Sequence, residues 1–289
     1  MAEQYPVVQQ RRLLLKLREI RGQRNLTQAQ VAGSLGWSTS KLLRIENGKN
    51  NVSRSDLRAL LEVYGVTDPA RLQDLSDAAG AARAGSLSRP NDVVTREYRA
   101  FLGFEGSARR IRHYEPLLIP GQLQTKAYAE AVIRALSAED ETDEIVEQRV
   151  QLRLESQQIH RQDPPPRMHF ILNEAAIRRQ IGGRAAMLRQ LAHLKVMNGL
   201  PHLTIQIMPF DVGAYPEMTQ PFIILELPDD HDGPLLYREH ASRQDLLSRK
   251  QHQETSTYLE RFADLAELAA PAAWFDRMID DAVATMTSR

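Results

Sequence analysis

The chain contains no cysteine. Disulfide frameworks, thiolate metal sites and cysteine nucleophiles are therefore excluded, and a cytoplasmic protein is the expectation. It lacks any apolar run near the ~20 residues that span a bilayer. Residues 1–12 carry no apolar core ahead of their charges, so no signal peptide is expected. Enzyme signatures are missing as well: no H-E-x-x-H, no Gly-rich phosphate loop and no G-x-S-x-G. The eight histidines are scattered. His160 and His169 lie on either side of the triple proline 164–166. His231 sits in the acidic stretch 229–232, which reads as a solvated loop, and Arg238-Glu239-His240 has no nucleophile arranged beside it. The sequence thus predicts no catalytic residue, no metal site and no cofactor. A 34-residue helical repeat is also absent, which argues against a tetratricopeptide array.

What is present fits a globular protein. A length of 289 residues allows two domains. With 42% apolar and 26% charged residues, wholesale disorder and fibrous repeats are excluded. The net charge of zero hides a split. Residues 1–86 hold 13 Lys+Arg against 8 Asp+Glu, a surplus of five, and the remainder holds 24 against 29. Such asymmetry points the basic part toward a polyanion.

Apolar positions in residues 1–84 recur at intervals of three and four (Leu13, Leu17, Ile20; Val31, Leu35; Leu57, Leu60, Leu61, Tyr64), predicting five short helices. Residues 85–92, with Gly85, Ser86, Ser88 and Pro90, read as a flexible linker. Beyond it, helices are predicted over 93–112, 125–136, 143–161, 184–198 and 243–270. Strands are predicted over 168–172, 203–209, 222–227 and 235–237. Tyr114–Gly121 reads as an extended piece punctuated by two prolines. The fold class is α+β: an all-α domain over 1–84, a linker over 85–92, and a mixed α/β domain over 93–289 with a sheet of about four strands.

The most informative segment is 26–48. Thr27 stands where an N-cap belongs, ahead of a helix over 28–35. Gly36 follows, where a left-handed residue ends a helix cheaply. Ser38 is a second N-cap, ahead of a helix over 39–47 that Gly48 ends. Two short helices joined by a tight glycine turn form a helix-turn-helix. The segment resembles the Cro/repressor-like (Xre) family, whose pattern runs L-T-Q-x-x-L-A-x-x-L-G-x-S-x-S-x-I-x-x-I/L-E-N-G. Leu26, Thr27, Gln28, Ala32, Leu35, Gly36, Ser38, Ser40, Ile45, Glu46, Asn47 and Gly48 match it.

The resemblance implies that the second helix lies in the major groove of double-stranded DNA. Ser38, Thr39, Ser40 and Arg44 then map to base-reading positions, with Arg44 able to read guanine through two bonds or to lie along the backbone. Gln28, Lys41, Asn47, Lys49 and Asn50 map to phosphate-facing positions, although Asn50 and Asn51 also read as a plain turn. Leu35, Trp37, Leu42 and Ile45 belong to the core. Glu46 reads as a local structural pair, because its charge repels phosphate.

The second part also has a familiar outline. Ile119-Pro-Gly-Gln-Leu-Gln-Thr-Lys-Ala-Tyr-Ala129 is similar to the "IPGLLQTxxYA" signature of actinobacterial regulators of the WhiJ type. Asn173–Ile177, Met187–Leu194 and Ile207–Phe210 resemble further elements of that family. Gln122 stands where the pattern has leucine, and the tryptophan pair usual ahead of the domain is absent. The resemblance implies a sequence-specific transcriptional regulator; a homodimer is expected because one short recognition helix reads only a few base pairs, and no membrane attachment is expected. Its second domain would serve dimerisation and sensing or partner docking. An antitoxin-like adaptor that binds a small partner protein is the alternative. Leu117, Ile119, Gln122 and Gln124 are the candidate lining of a partner or ligand groove; packing of that segment against the sheet is the competing reading.

Overall fold

The structure, a computed structural model, describes residues 6–48, 50, 52–84, 93–228, 233–238, 246–248 and 252–288. The chain divides into two compact units, residues 1–92 and 93–289. The predicted linker 85–92 and the acidic loop 229–232 lie outside the described residues.

The first unit holds five helices: α1 (Pro6–Gln23), α2 (Gln28–Ser34), α3 (Thr39–Glu46), α4 (Arg54–Val63) and α5 (Pro69–Ala84). Each of the three short ones starts on a hydroxyl that accepts a backbone N–H: Thr27 from Gln30, Ser38 from Lys41 and Ser53 from Asp56. At Thr27 the Gln30 side chain returns the bond, which completes a capping box. Leu13, Leu14, Leu17 and Ile20 give α1 one buried stripe, which meets Val31, Leu42, Ile45, Leu57, Leu60 and Leu75 in a single core. That shared core supplies most of the unit's stability, because helices of two turns are marginal alone.

The second unit is built on a mixed six-stranded sheet in the order β3-β2-β1-β4-β5-β6. Its strands are β1 (Arg110–Glu115), β2 (Arg167–Asn173), β3 (Leu203–Met208), β4 (Phe222–Glu226), β5 (Leu235–Arg238) and β6 (Leu246–Ser248). Pairing is parallel among β1, β2 and β3 and antiparallel from β1 through β6. Tyr114, Ile171, Phe222, Ile224 and Leu236 share one face, covered by α11 (His252–Leu268) through Tyr258, Phe262 and Leu265. The remaining helices are α6 (Arg96–Glu105), α7 (Lys126–Leu136), α8 (Asp143–Ser156), α9 (Glu174–Arg178), α10 (Arg184–Asn198) and α12 (Phe275–Thr287).

Four expectations change here. The helix predicted over 93–112 ends at Glu105, and Arg110–Glu115 is a strand. Central pairing to both β2 and β4 overrides the helical spacing, since ladder bonds on two sides replace those a helix would make. The helix predicted over 243–270 begins only at His252, because Leu246–Ser248 pairs with β5 as an edge strand. Residues 243–245 and 249–251 are outside the described set. With β1 and β6 added, the sheet has six strands, not about four. Finally α12, with Phe275, Ile279, Ala282 and Met286 buried on one stripe, was not predicted.

Candidate nucleic-acid interface

The turn between α2 and α3 is short because Gly36 takes φ +62°, a left-handed conformation. Trp37 then donates its N–H back to Ala32 O at 2.8 Å, which closes the end of α2. A Cβ at position 36 meets nothing within 4 Å, so backbone conformation and not space selects glycine there.

Glu46 holds the two helices to α1. It is 2% exposed and receives Arg21 on both oxygens, Nε at 2.7 Å and Nη2 at 3.1 Å. The Gln28 amide of α2 donates to the same carboxylate at 2.6 Å, and Arg18 caps the Glu46 carbonyl. The hydrogen bond to Glu46 raises the Arg21 pKa above the usual guanidinium value, against the cost of burial. Tyr64, buried beside this cluster, is pushed up to about 12, chiefly by desolvation. Glu46 is thus an internal tie between three helices, in line with its reading as a structural pair.

With Leu42 and Ile45 buried, α3 turns Thr39, Ser40, Leu43 and Arg44 outward on one stripe. Ser38 is exposed just ahead of them, its oxygen engaged as the cap. Among the described residues nothing bonds to the Arg44 side chain, so its guanidinium is open to a ligand. Asn47 is half-buried at the C-cap, and Asn50 is exposed, its N–H on Arg44 O at 3.3 Å. Lys49 lies outside the described residues.

Two phosphate candidates are engaged inside the fold. Gln28 spends one amide N–H on Glu46. Lys41 donates to Asp56 Oδ1 at 2.7 Å and lies 3.7 Å over the Trp37 ring, so its charge is largely neutralised in place. One residue was missed: Leu43, 40% exposed on the outward stripe of α3. A large apolar side chain on an otherwise polar face was the available signal, since thymine methyls are read by apolar contact.

In the second unit the segment 119–125 forms a corner braced from three sides. Tyr128 OH accepts Ile119 N–H at 3.0 Å, and the Gln124 amide donates to Ile119 O at 2.7 Å. Gln157 donates to both Gly121 O and Gln124 O at 2.8 Å. From α10, fully buried Gln190 accepts Thr125 N–H and donates to Leu123 O, both at 2.7 Å. Ile119, Gln122 and Gln124 are therefore buried and together line one half-open cavity, while Leu117 is exposed and stands apart from it. Of the four groove candidates, three thus share one recess and Leu117 does not. Gln190→Leu is expected to cost about 1–3 kcal/mol, the usual penalty for orphaning buried polar groups. Thermal unfolding checks it, and a change within ~0.5 kcal/mol, as at an ordinary surface site, would show the brace to be dispensable.

Capped short helices, a left-handed glycine turn and an outward polar stripe define a helix-turn-helix DNA-binding regulator. Residues 12–75 match the family model described as a helix-turn-helix domain. Residues 98–280 match the domain of unknown function DUF5753, and the chain belongs to that family. No curated protein and no solved structure matches the chain. No helix among the described residues is long and apolar enough to cross a membrane.

Proposed function

We propose that the chain is a sequence-specific transcriptional regulator of the Xre type that reads the major groove with α3. The observation that carries this reading is the outward stripe Thr39, Ser40, Leu43 and Arg44 on a helix whose angle Glu46 fixes to α1 and α2. Thr39 and Ser40 offer hydroxyls to base edges, Leu43 a surface for a thymine methyl, and Arg44 a fork for guanine. Exposed Arg54 and Ser55, in the first turn of α4, and Asn50 supply backbone contacts beside it.

One helix of this length reads only a few base pairs, so the reading includes a homodimer on two half-sites about 34–36 Å apart. The second unit is assigned to dimerisation and sensing. It is read as a binding module without catalysis: in its cavity Ser156 Oγ donates to Arg153 O, and no base is poised on it. Selection of bound duplexes from a random pool by the full chain tests the proposal. The expected outcome is a short motif repeated at 10–10.5 base pairs, with affinity falling steeply as salt rises. Enrichment of no motif, with purely salt-governed binding, would overturn sequence-specific reading, and a single unrepeated motif would overturn the dimer.

A further inference from the structure

The second unit holds a cavity of about 120 Å³, partly open to solvent, between α6, β1, the 119–125 corner and α8. That is close to the size of an engineered cavity that takes up benzene, about 150 Å³. Its walls carry an unusual density of polar groups for a buried site. Gln122, 3% exposed, gives its amide N–H to Glu105 Oε2 at 2.7 Å and to Ser156 Oγ at 3.4 Å, while its Oε1 is buried with no partner. His113, 7% exposed, has Nε2 3.7 Å from Glu115 Oε2, and its Nδ1 is buried with no partner. Buried polar atoms are nearly always satisfied, so two orphans on one cavity wall mark a place where something else completes the set.

The balance of donors and acceptors says what. Glu105 receives one donor, from Gln122, and the Gln122 oxygen receives none, whereas Glu115 Oε1 already accepts the backbone N–H groups of Leu117 and Leu118. The guanidinium on the wall, Arg153, already gives Nη1 to Gln124 Oε1 at 3.2 Å. Burial raises the Glu105 pKa above the usual carboxyl value, more than the bond from Gln122 and the nearby His113 and Arg153 lower it. Phe101, one turn before Glu105 on α6, stacks on Tyr237 at 4.1 Å between ring centroids and adds an apolar wall. Exposed Leu136 also lines the cavity and so stands at its rim.

We propose that this cavity binds a small organic primary ammonium with a short apolar body, its head held by Glu105 and Gln122 and its body on Phe101 and Tyr237. The Glu105 carboxyl and the unpartnered Gln122 oxygen offer acceptors to the N–H donors of an ammonium, and the aromatic wall adds cation–π attraction. The assignment rests on the sensing role given to the second unit, and names its ligand class.

Calorimetric titration of the full chain with n-butylammonium chloride, 1-butanol and sodium butyrate at matched ionic strength tests it. The ammonium is expected to bind at least about tenfold more tightly than either isostere, a difference of about 1.4 kcal/mol. Glu105→Gln, which keeps shape and a hydrogen bond to Gln122, is expected to abolish that preference, with folding verified by thermal unfolding. Equal binding of butanol would reduce the site to an apolar pocket, preference for butyrate would assign it to anions, and no heat from any probe at about 10 mM would remove it. Each of these overturns the ammonium assignment on wild-type protein alone. Repeating the DNA titration with and without n-butylammonium separates the two layers: binding without any change in DNA affinity would leave the cavity assignment standing and overturn only the sensing role.

Discussion

Glu46→Ala is expected to destabilise the first unit by roughly 3–5 kcal/mol, the cost of removing one partner from a buried ion pair. The carboxylate is 2% exposed and satisfies Arg21 through two bonds and Gln28 through a third. Its loss leaves the Arg21 guanidinium, itself partly buried, with Leu26 O at 2.9 Å as its remaining hydrogen-bond partner among the described residues. Against a typical domain stability of about 5–15 kcal/mol, that is a large fraction. Glu46→Gln should cost less, because its amide oxygen still accepts from one donor. The measurement is urea unfolding followed by Trp37 fluorescence in a Trp274→Phe background. Trp37 is half-buried between α2 and α3 and reports on that unit, whereas Trp274 is exposed on the other. A midpoint unchanged by Glu46→Ala would mean that the three helices hold their angles through apolar packing alone.

Arg44→Ala is expected to relax base preference at one position of each half-site by about 1–3 kcal/mol, the worth of one two-bond guanine contact. Arg44 is exposed on the outward stripe of α3, and its substitution removes no bond that the folded chain makes with itself among the described residues. Unfolding midpoints should therefore stay within ~0.5 kcal/mol, as for an ordinary surface site. Competition between the selected duplex and single-base variants gives the discriminating number. If all duplexes weaken equally and the salt slope drops by about one, Arg44 contacts a phosphate instead. Glu46 and Arg44 thus separate cleanly: one substitution moves stability and carries binding with it, and the other moves specificity alone.

The first unit was legible because its instructions are local. Thr27, Ser38 and Ser53 each cap the helix they precede, and Gly36 and Gly48 end the helices they follow, at φ +62° and +67°. Strand β1 was not legible for the opposite reason. Arg110-Ile-Arg-His-Tyr-Glu115 carries three charges and a histidine, a poor advertisement for a central strand. What makes it one lies far off: Glu226 on β4 accepts Arg112 and stands 3.7 Å from Arg110. The same holds for the cavity. Gln122 stood out as a departure from a motif, but Glu105 and His113 come from elements whose boundaries the sequence misplaced, so nothing brought the three together until the strand was in place. Lys41 shows the converse limit. Its position in the motif suggested a phosphate contact, yet Asp56, fifteen residues on, engages its charge.

The sheet order sets a timetable for synthesis. Every helix of the first unit is complete once Ala84 has been added. Strand β1 begins at Arg110 but must wait for Arg167 on one side and Glu226 on the other. At about 5–20 residues per second, the second partner arrives roughly 6–25 seconds later. Until then the edge of β1 that faces β4 is unpaired on the nascent chain, while the unit that carries α3 is already whole. A chain cut short before Glu226 would leave the ribosome with a finished helix-turn-helix unit and a sheet that cannot close, so truncation products of this protein are expected to keep weak affinity for nucleic acid while losing whatever the second unit adds to it.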